Sequence, residues 1–185
     1  LYYFNFVQTE YFKESEASAK SDVVQKLVPN ALWYFRWAAA FTFLTGLYLL
    51  YWLSITVNIG IVLGALMGTL MAANVWFVIW PNQKKVIAGA PDAADAGAKA
   101  GLASRTNTLF SLPMLYLMVY SAHGGGLPMI AATDMTGLWV GIAIILLIEA
   151  NALFGKMNPL ITSVKAVIHS GVLLTVIFGA LVHYL

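Results

Sequence analysis

Three histidines, one carboxylate within an apolar run, and a ladder of glycines are the residues of this chain whose types and spacing could do chemistry. The histidines are His123, His169 and His183. Imidazole could serve as a haem or metal ligand or as a proton relay. His169 and His183 are fourteen residues apart, which on a helix is about 21 Å along one face. That spacing resembles the haem-bearing helices of b-type cytochromes, but two bis-histidine haems need four imidazoles and only three exist. A single haem b held by His123 and His183 remains open if their two helices touch. The alternative is a loop histidine and an interfacial one, with His169 in an interhelical hydrogen bond.

Glu149 follows the run GIAIILLI, with Asn151 just beyond. An unpaired carboxylate in lipid is costly, so its reading is either a proton-handling group or a carboxylate paired to Lys156 or Lys165. Gly60, Gly64 and Gly68 form two successive G-x-x-x-G steps, followed by Ala72, Ala73 and Asn74. Small residues at that interval let helix backbones approach closely, within the chain or toward a partner subunit, and Asn74 would hydrogen-bond across the contact. Arg36, among Trp33, Tyr34, Phe35 and Trp37, has the setting of an interfacial anchor. Asp134 is placed to cap the helix that follows it. There is no glycine-rich phosphate loop, zinc motif or serine elbow. The chain has no cysteine, so thiolate sites and disulfides are excluded.

The elements that must position these groups are transmembrane helices. Of 185 residues, 61% are hydrophobic and 10% charged, and the mean hydropathy is +0.79. Soluble domains carry about 25% charged residues, and one of this size could not hide so much apolar surface. A net charge of +2, spread along the chain, does not suggest a nucleic-acid partner. The expected fold is all-α, a polytopic bundle in a single membrane domain over residues 1–185. Full spans are predicted at residues 31–53, 55–80, 107–122, 136–154 and 162–184. The second is expected to stop at Pro81–Asn82, and the third to contain Pro113. Residues 1–12 (LYYFNFVQTEYF) are too short to span and read as the end of a sixth, truncated helix. The stretch 86–104, rich in Ala, Gly and Asp, is expected to be a surface loop with a short helix.

Charge orients these spans. The ten Lys and Arg residues fall before or at the start of the first span, between the second and third, and between the fourth and fifth. The opposite connections, 54–58 and 123–135, have none. The positive-inside rule then places the basic face in the cytoplasm and the C-terminus outside.

The stretch GALMGTLMAANVWFVIWPNQKKVI, residues 64–87, resembles the N-terminal membrane domain of the bacterial urate hydroxylase (urate oxidase N-terminal) family. Residues 104–113 (SRTNTLFSLP) continue the likeness, which reaches back to 32–46 and 2–12 and covers about two-thirds of the chain. In that family the membrane domain precedes a periplasmic cytochrome c domain that takes up electrons from substrate oxidation. The present residues hold no Cys-x-x-Cys-His. Where the family places histidines, this chain has Val62, Thr106 and Ala150; His123 alone falls near a family histidine. The resemblance therefore implies one of two functions. The first is an accessory or structural subunit of a larger respiratory or oxidative membrane complex, embedded in lipid beside other membrane-protein subunits. The second is a redox enzyme domain that passes electrons to a separate periplasmic cytochrome c.

Overall fold

The computed structural model describes residues 1–52, 57–123 and 135–184, and these are helical with no β-strand among them. A π-helical segment Tyr3–Gln8 runs into α1 (Thr9–Glu14), followed by α2 (Ala17–Lys26) and α3 (Val28–Trp52). Next come α4 (Ile59–Ala73), a second π-helical segment Asn74–Ile79, and α5 (Trp80–Ile87). The chain closes with α6 (Ala93–His123), α7 (Thr136–Phe154) and α8 (Val164–Tyr184).

Local chemistry sets the ends. Asn58 caps α4, its Oδ1 accepting from the Ile61 amide at 2.9 Å. Pro29 sits in the first turn of α3, where no intrahelical N–H is needed. After α5, Gly89 takes φ +63°, the left-handed conformation that glycine adopts without a Cβ penalty. The Ala90 amide donates to Lys85 O at 3.0 Å and the Gly89 amide to Val86 O at 3.2 Å, a Schellman closure. Ser163 Oγ caps α8 by accepting from the Ala166 amide at 3.1 Å.

Helix α6 is the hub, packed against α4, α5, α7 and α8. Its Phe110 and Leu117 meet Leu63 and Met67 of α4, Ile145 of α7 and Phe178 of α8 in one core, each of these side chains fully buried. The glycine ladder faces α6: a Cβ added to Gly64 would lie 3.0 Å from Met118 Cγ, and one on Gly68 would lie 3.5 Å from Met114 Sδ. The close helix approach is therefore made within the chain. Pro113 lies buried inside α6 and cannot donate to the Leu109 carbonyl. Gly171 of α8 packs over that carbonyl, a Cβ built there lying 3.6 Å from it.

Among the described residues, three helices are long and apolar enough to cross a membrane: Ile59–Ile87, Thr136–Phe154 and Val164–Tyr184. Helices α3 and α6 fall short on mean hydropathy among the described residues. In α3 the deficit comes from Trp, Tyr and Arg36, and in α6 from the polar run Ser104–Thr108. The predicted stop at Pro81 does not occur, and the helix continues to Ile87 over 29 residues. Pro81 stands in the turn that follows the π segment, and Asn82 Nδ2 supplies a donor to Val78 O at 2.8 Å. The expected loop over 86–104 is mostly the first turns of α6, whose alanines favour helix. The proposed cap at Asp134 lies outside the described residues.

Candidate functional site

At the centre of the bundle, three helices bring polar side chains together. Asn74, the first residue of the second π segment, is 1% exposed. Its Nδ2 donates to Asn107 Oδ1 on α6 at 3.0 Å and to Glu149 Oε2 on α7 at 3.1 Å. Asn107 in turn donates from its own Nδ2 to the Met71 carbonyl at 2.9 Å. A continuous chain of hydrogen bonds thus runs from a backbone carbonyl through two amides to one carboxylate. An amide is suited to the middle of such a chain because it carries donors and an acceptor on one rigid plane. The π segment fits this role, since widened turns re-aim side chains and recur at functional positions.

Glu149 is buried, and its hydrogen-bond partner is Asn74 rather than a lysine. Lys156 and Lys165 are exposed and form no ion pair among the described residues. Gly155 breaks α7 six residues beyond Glu149, which carries both lysines past the helix end while the carboxylate faces inward. Pairing to Lys156 or Lys165 is thereby corrected.

Three further hydrogen bonds join other elements to α6. Asn5 Nδ2 donates to Ser104 Oγ at 2.8 Å, and the Tyr2 hydroxyl meets Ser111 Oγ at 2.9 Å, latching the N-terminal segment onto α6. At the other end, Ser121 Oγ donates at 2.9 Å to the Asn58 Oδ1 that caps α4. Sequence reasoning missed Asn5, Ser104, Asn107 and Ser111 as interior groups. The run Ser104–Thr108 carried the signal, because four polar residues and an arginine just ahead of an apolar stretch need internal partners in lipid.

All three histidines are exposed. His123 Nδ1 lies 3.2 Å from Val119 O on its own helix. His183 packs edge-on against Tyr120 of α6, ring centroids 5.0 Å apart. Helices α6 and α8 do touch, and His183 meets α6 at Tyr120, about one turn before His123. His169 lies on the outer side of α8 and not among neighbouring helices. Gly60 is buried at the start of α4. Arg36 stacks over Trp80 with its guanidinium carbon 4.1 Å from the ring centroid, and 5.4 Å from that of Trp76.

Residues 58–182 match the family described as urate oxidase N-terminal. The chain belongs to that family. The match takes in both stretches that carried the resemblance, 64–87 and 104–113, and therefore the whole Asn74–Asn107–Glu149 chain. It begins after α3, so the likeness over residues 2–12 and 32–46 lies outside it. No curated protein and no solved structure matches the chain. Of the positions where the family resemblance expects histidine, Thr106 is 1% exposed with its Oγ1 unbonded, Val62 packs against the core, and Ala150 is exposed.

Proposed function

We propose that this chain is an accessory or structural subunit of a larger respiratory or oxidative membrane complex, built on a urate-hydroxylase-like membrane scaffold. The observation that carries this reading is where the polar groups stand. The interior amides and carboxylate are spent on one another, bonding α4, α6 and α7 together, while all three imidazoles face outward. Helix α3 supports it too: Trp33, Tyr34, Phe41, Tyr48, Tyr51 and Trp52 are exposed, and Val28 and Leu32 are its buried residues. A helix so bare along its length suits contact with neighbouring subunits and lipid.

In this reading α3 and the apolar part of α6 also cross the bilayer. That makes five spans, with the N-terminal segment as the end of a sixth. The basic residues lie at the cytoplasmic face of a bacterial inner membrane, and the C-terminus lies in the periplasm. A reporter fused to the C-terminus that is active in the cytoplasm alone would overturn that orientation.

Family membership favours a second reading, a membrane redox domain that delivers electrons to a separate periplasmic cytochrome c. Haem b on His123 and His183 would be its cofactor. An optical spectrum of the purified protein separates the two readings. The subunit reading expects no reduced-minus-oxidised haem signal and co-purification at fixed stoichiometry with other membrane subunits. A haem b signal abolished in His123→Ala and His183→Ala overturns it.

A further inference from the structure

Two cavities of different character flank α6. One, of about 610 Å³, lies between α3, α4 and α6 and is walled mostly by apolar side chains, with Thr42, Thr45, Thr69 and Asn107 among them and, among the described residues, no Asp, Glu, Lys or Arg. The other, of about 420 Å³, lies at the basic end, enclosed by the N-terminal segment, α2, α3, α5 and α6. Lys13, Lys20 and Arg105 line this second cavity, and among the described residues no Asp or Glu does. Polar walls come from Asn5, Gln8 and Ser104.

Its charge is only partly balanced. Lys13 is held by Glu10 at 2.7 Å, and the same carboxylate acts on Arg105 through space, but neither Lys20 nor Arg105 forms a direct ion pair among the described residues. Arg105 is 4% exposed, and its Nη1 is buried without a hydrogen bond. A desolvated guanidinium with an idle donor is expensive, and an oxyanion is the partner its planar fork fits. Gln8 presents the opposite deficit, a buried Oε1 acceptor with no donor. The complement of both is an anion that also bears a hydroxyl. The space exceeds what a bare phosphate needs, and Phe4, Phe12 and Leu32 supply apolar wall for the rest of the ligand. Basic pockets between helices at a cytoplasmic face are suited to anionic headgroups.

We infer that this cavity binds a hydroxyl-bearing phosphate ester of the glycerol phosphate type. Arg105 and Lys20 take the phosphate oxygens, and Gln8 accepts from the ligand's hydroxyl. Two sources share that chemistry: the headgroup of phosphatidylglycerol, and free glycerol 3-phosphate. The headgroup assignment rests on the membrane orientation proposed above, but neither the histidines nor the Asn74–Glu149 chain takes part in the site.

The test is native mass spectrometry with thermal denaturation of the full chain in a neutral detergent. The probes are phosphatidylglycerol, phosphatidylcholine, glycerol 3-phosphate and inorganic phosphate. Phosphatidylglycerol or glycerol 3-phosphate is expected to bind and raise Tm, with phosphatidylcholine at least about tenfold weaker. Arg105→Gln should weaken binding about tenfold or more, and Lys20→Gln about fivefold. Arg36→Gln, outside the cavity, should leave it unchanged. A response to phosphatidylglycerol that glycerol 3-phosphate does not compete assigns a lipid, and competition assigns the soluble ester. Equal response to phosphatidylcholine and phosphatidylglycerol, with none to glycerol 3-phosphate, overturns the inference. So does wild-type affinity in Lys20→Gln, which carries the test if Arg105→Gln does not fold.

Discussion

Helices α3 and α6 invert the pattern expected in water. Helix α3 is apolar and aromatic, yet of its 25 residues Val28 and Leu32 are the buried ones. Helix α6 carries Arg105, Thr106, Asn107, Thr108 and Ser111, and all five are buried. In water the hydrophobic effect would drive the first of these helices inward and hold the second at the surface. In lipid the apolar side chains lose nothing by facing outward. Polar groups are what must be turned inward: Asn107 bonds Asn74 and the Met71 carbonyl, while Thr108 and Ser111 bond carbonyls of their own helix. Polarity rather than hydrophobicity therefore marks the centre of this bundle.

The largest expected effect sets one buried ring against one exposed one. Phe110→Ala should cost about 3–5 kcal/mol, because the ring is 0% exposed among α4, α7 and α8. Phe41→Ala on α3, where the ring is 63% exposed, should fall within about 0.5 kcal/mol. Thermal or denaturant unfolding in detergent measures both, and comparable losses would break the contrast.

Helix approach comes next. Gly64→Leu should cost about 1–3 kcal/mol by forcing α4 away from α6. Gly64→Ala should cost less, because Met118 Cγ, which it meets at 3.0 Å, has to give way by only a few tenths of an ångström. If the leucine variant unfolds like the wild type, the ladder is not a packing face.

Asn74→Ala removes bonds to two helices and should cost about 1–2 kcal/mol. Glu149→Gln keeps an acceptor for Asn74 and should cost under about 0.6 kcal/mol. A double-mutant cycle between these positions should show coupling; additive losses would mean that the hydrogen bond contributes nothing to stability.

The smallest effect lies outside the bundle. Lys85 donates to Asp92 at 2.6 Å and holds that carboxyl below its ordinary range. A lowered folded-state pKa contributes stability that is present above the unfolded value and lost as pH falls through the folded one. Lys85→Ala should move the Asp92 titration upward, as read by carboxyl NMR, with little change in unfolding because the pair is exposed. An unmoved titration would show that the lysine does not set it.

Much of this was legible in the residues. The predicted span at 136–154 coincides with α7, because a long run interrupted by few polar residues, Glu149 and Asn151 among them, ends at a glycine. The glycine ladder and Asn74 were recognisable as a contact face from their spacing, and family membership was readable in residues 64–87 and 104–113. Pro81 was misleading because a local rule about proline carries no information on the π turn before it. The alanine-rich stretch before Ser104 was misleading because small residues mark loops and close-packed helices alike.

Composition and periodicity by themselves determined a membrane protein of packed helices, since each follows from side-chain solubility and helical geometry over a few neighbouring residues. Tertiary structure alone decided that Glu149 meets Asn74 and not a lysine, that Asn107 closes the chain to Met71, and that the histidines face outward. Those outcomes depend on how α4, α6 and α7 are rotated about their axes. The rotation is set by the sum of many long-range contacts, which no short stretch of sequence contains.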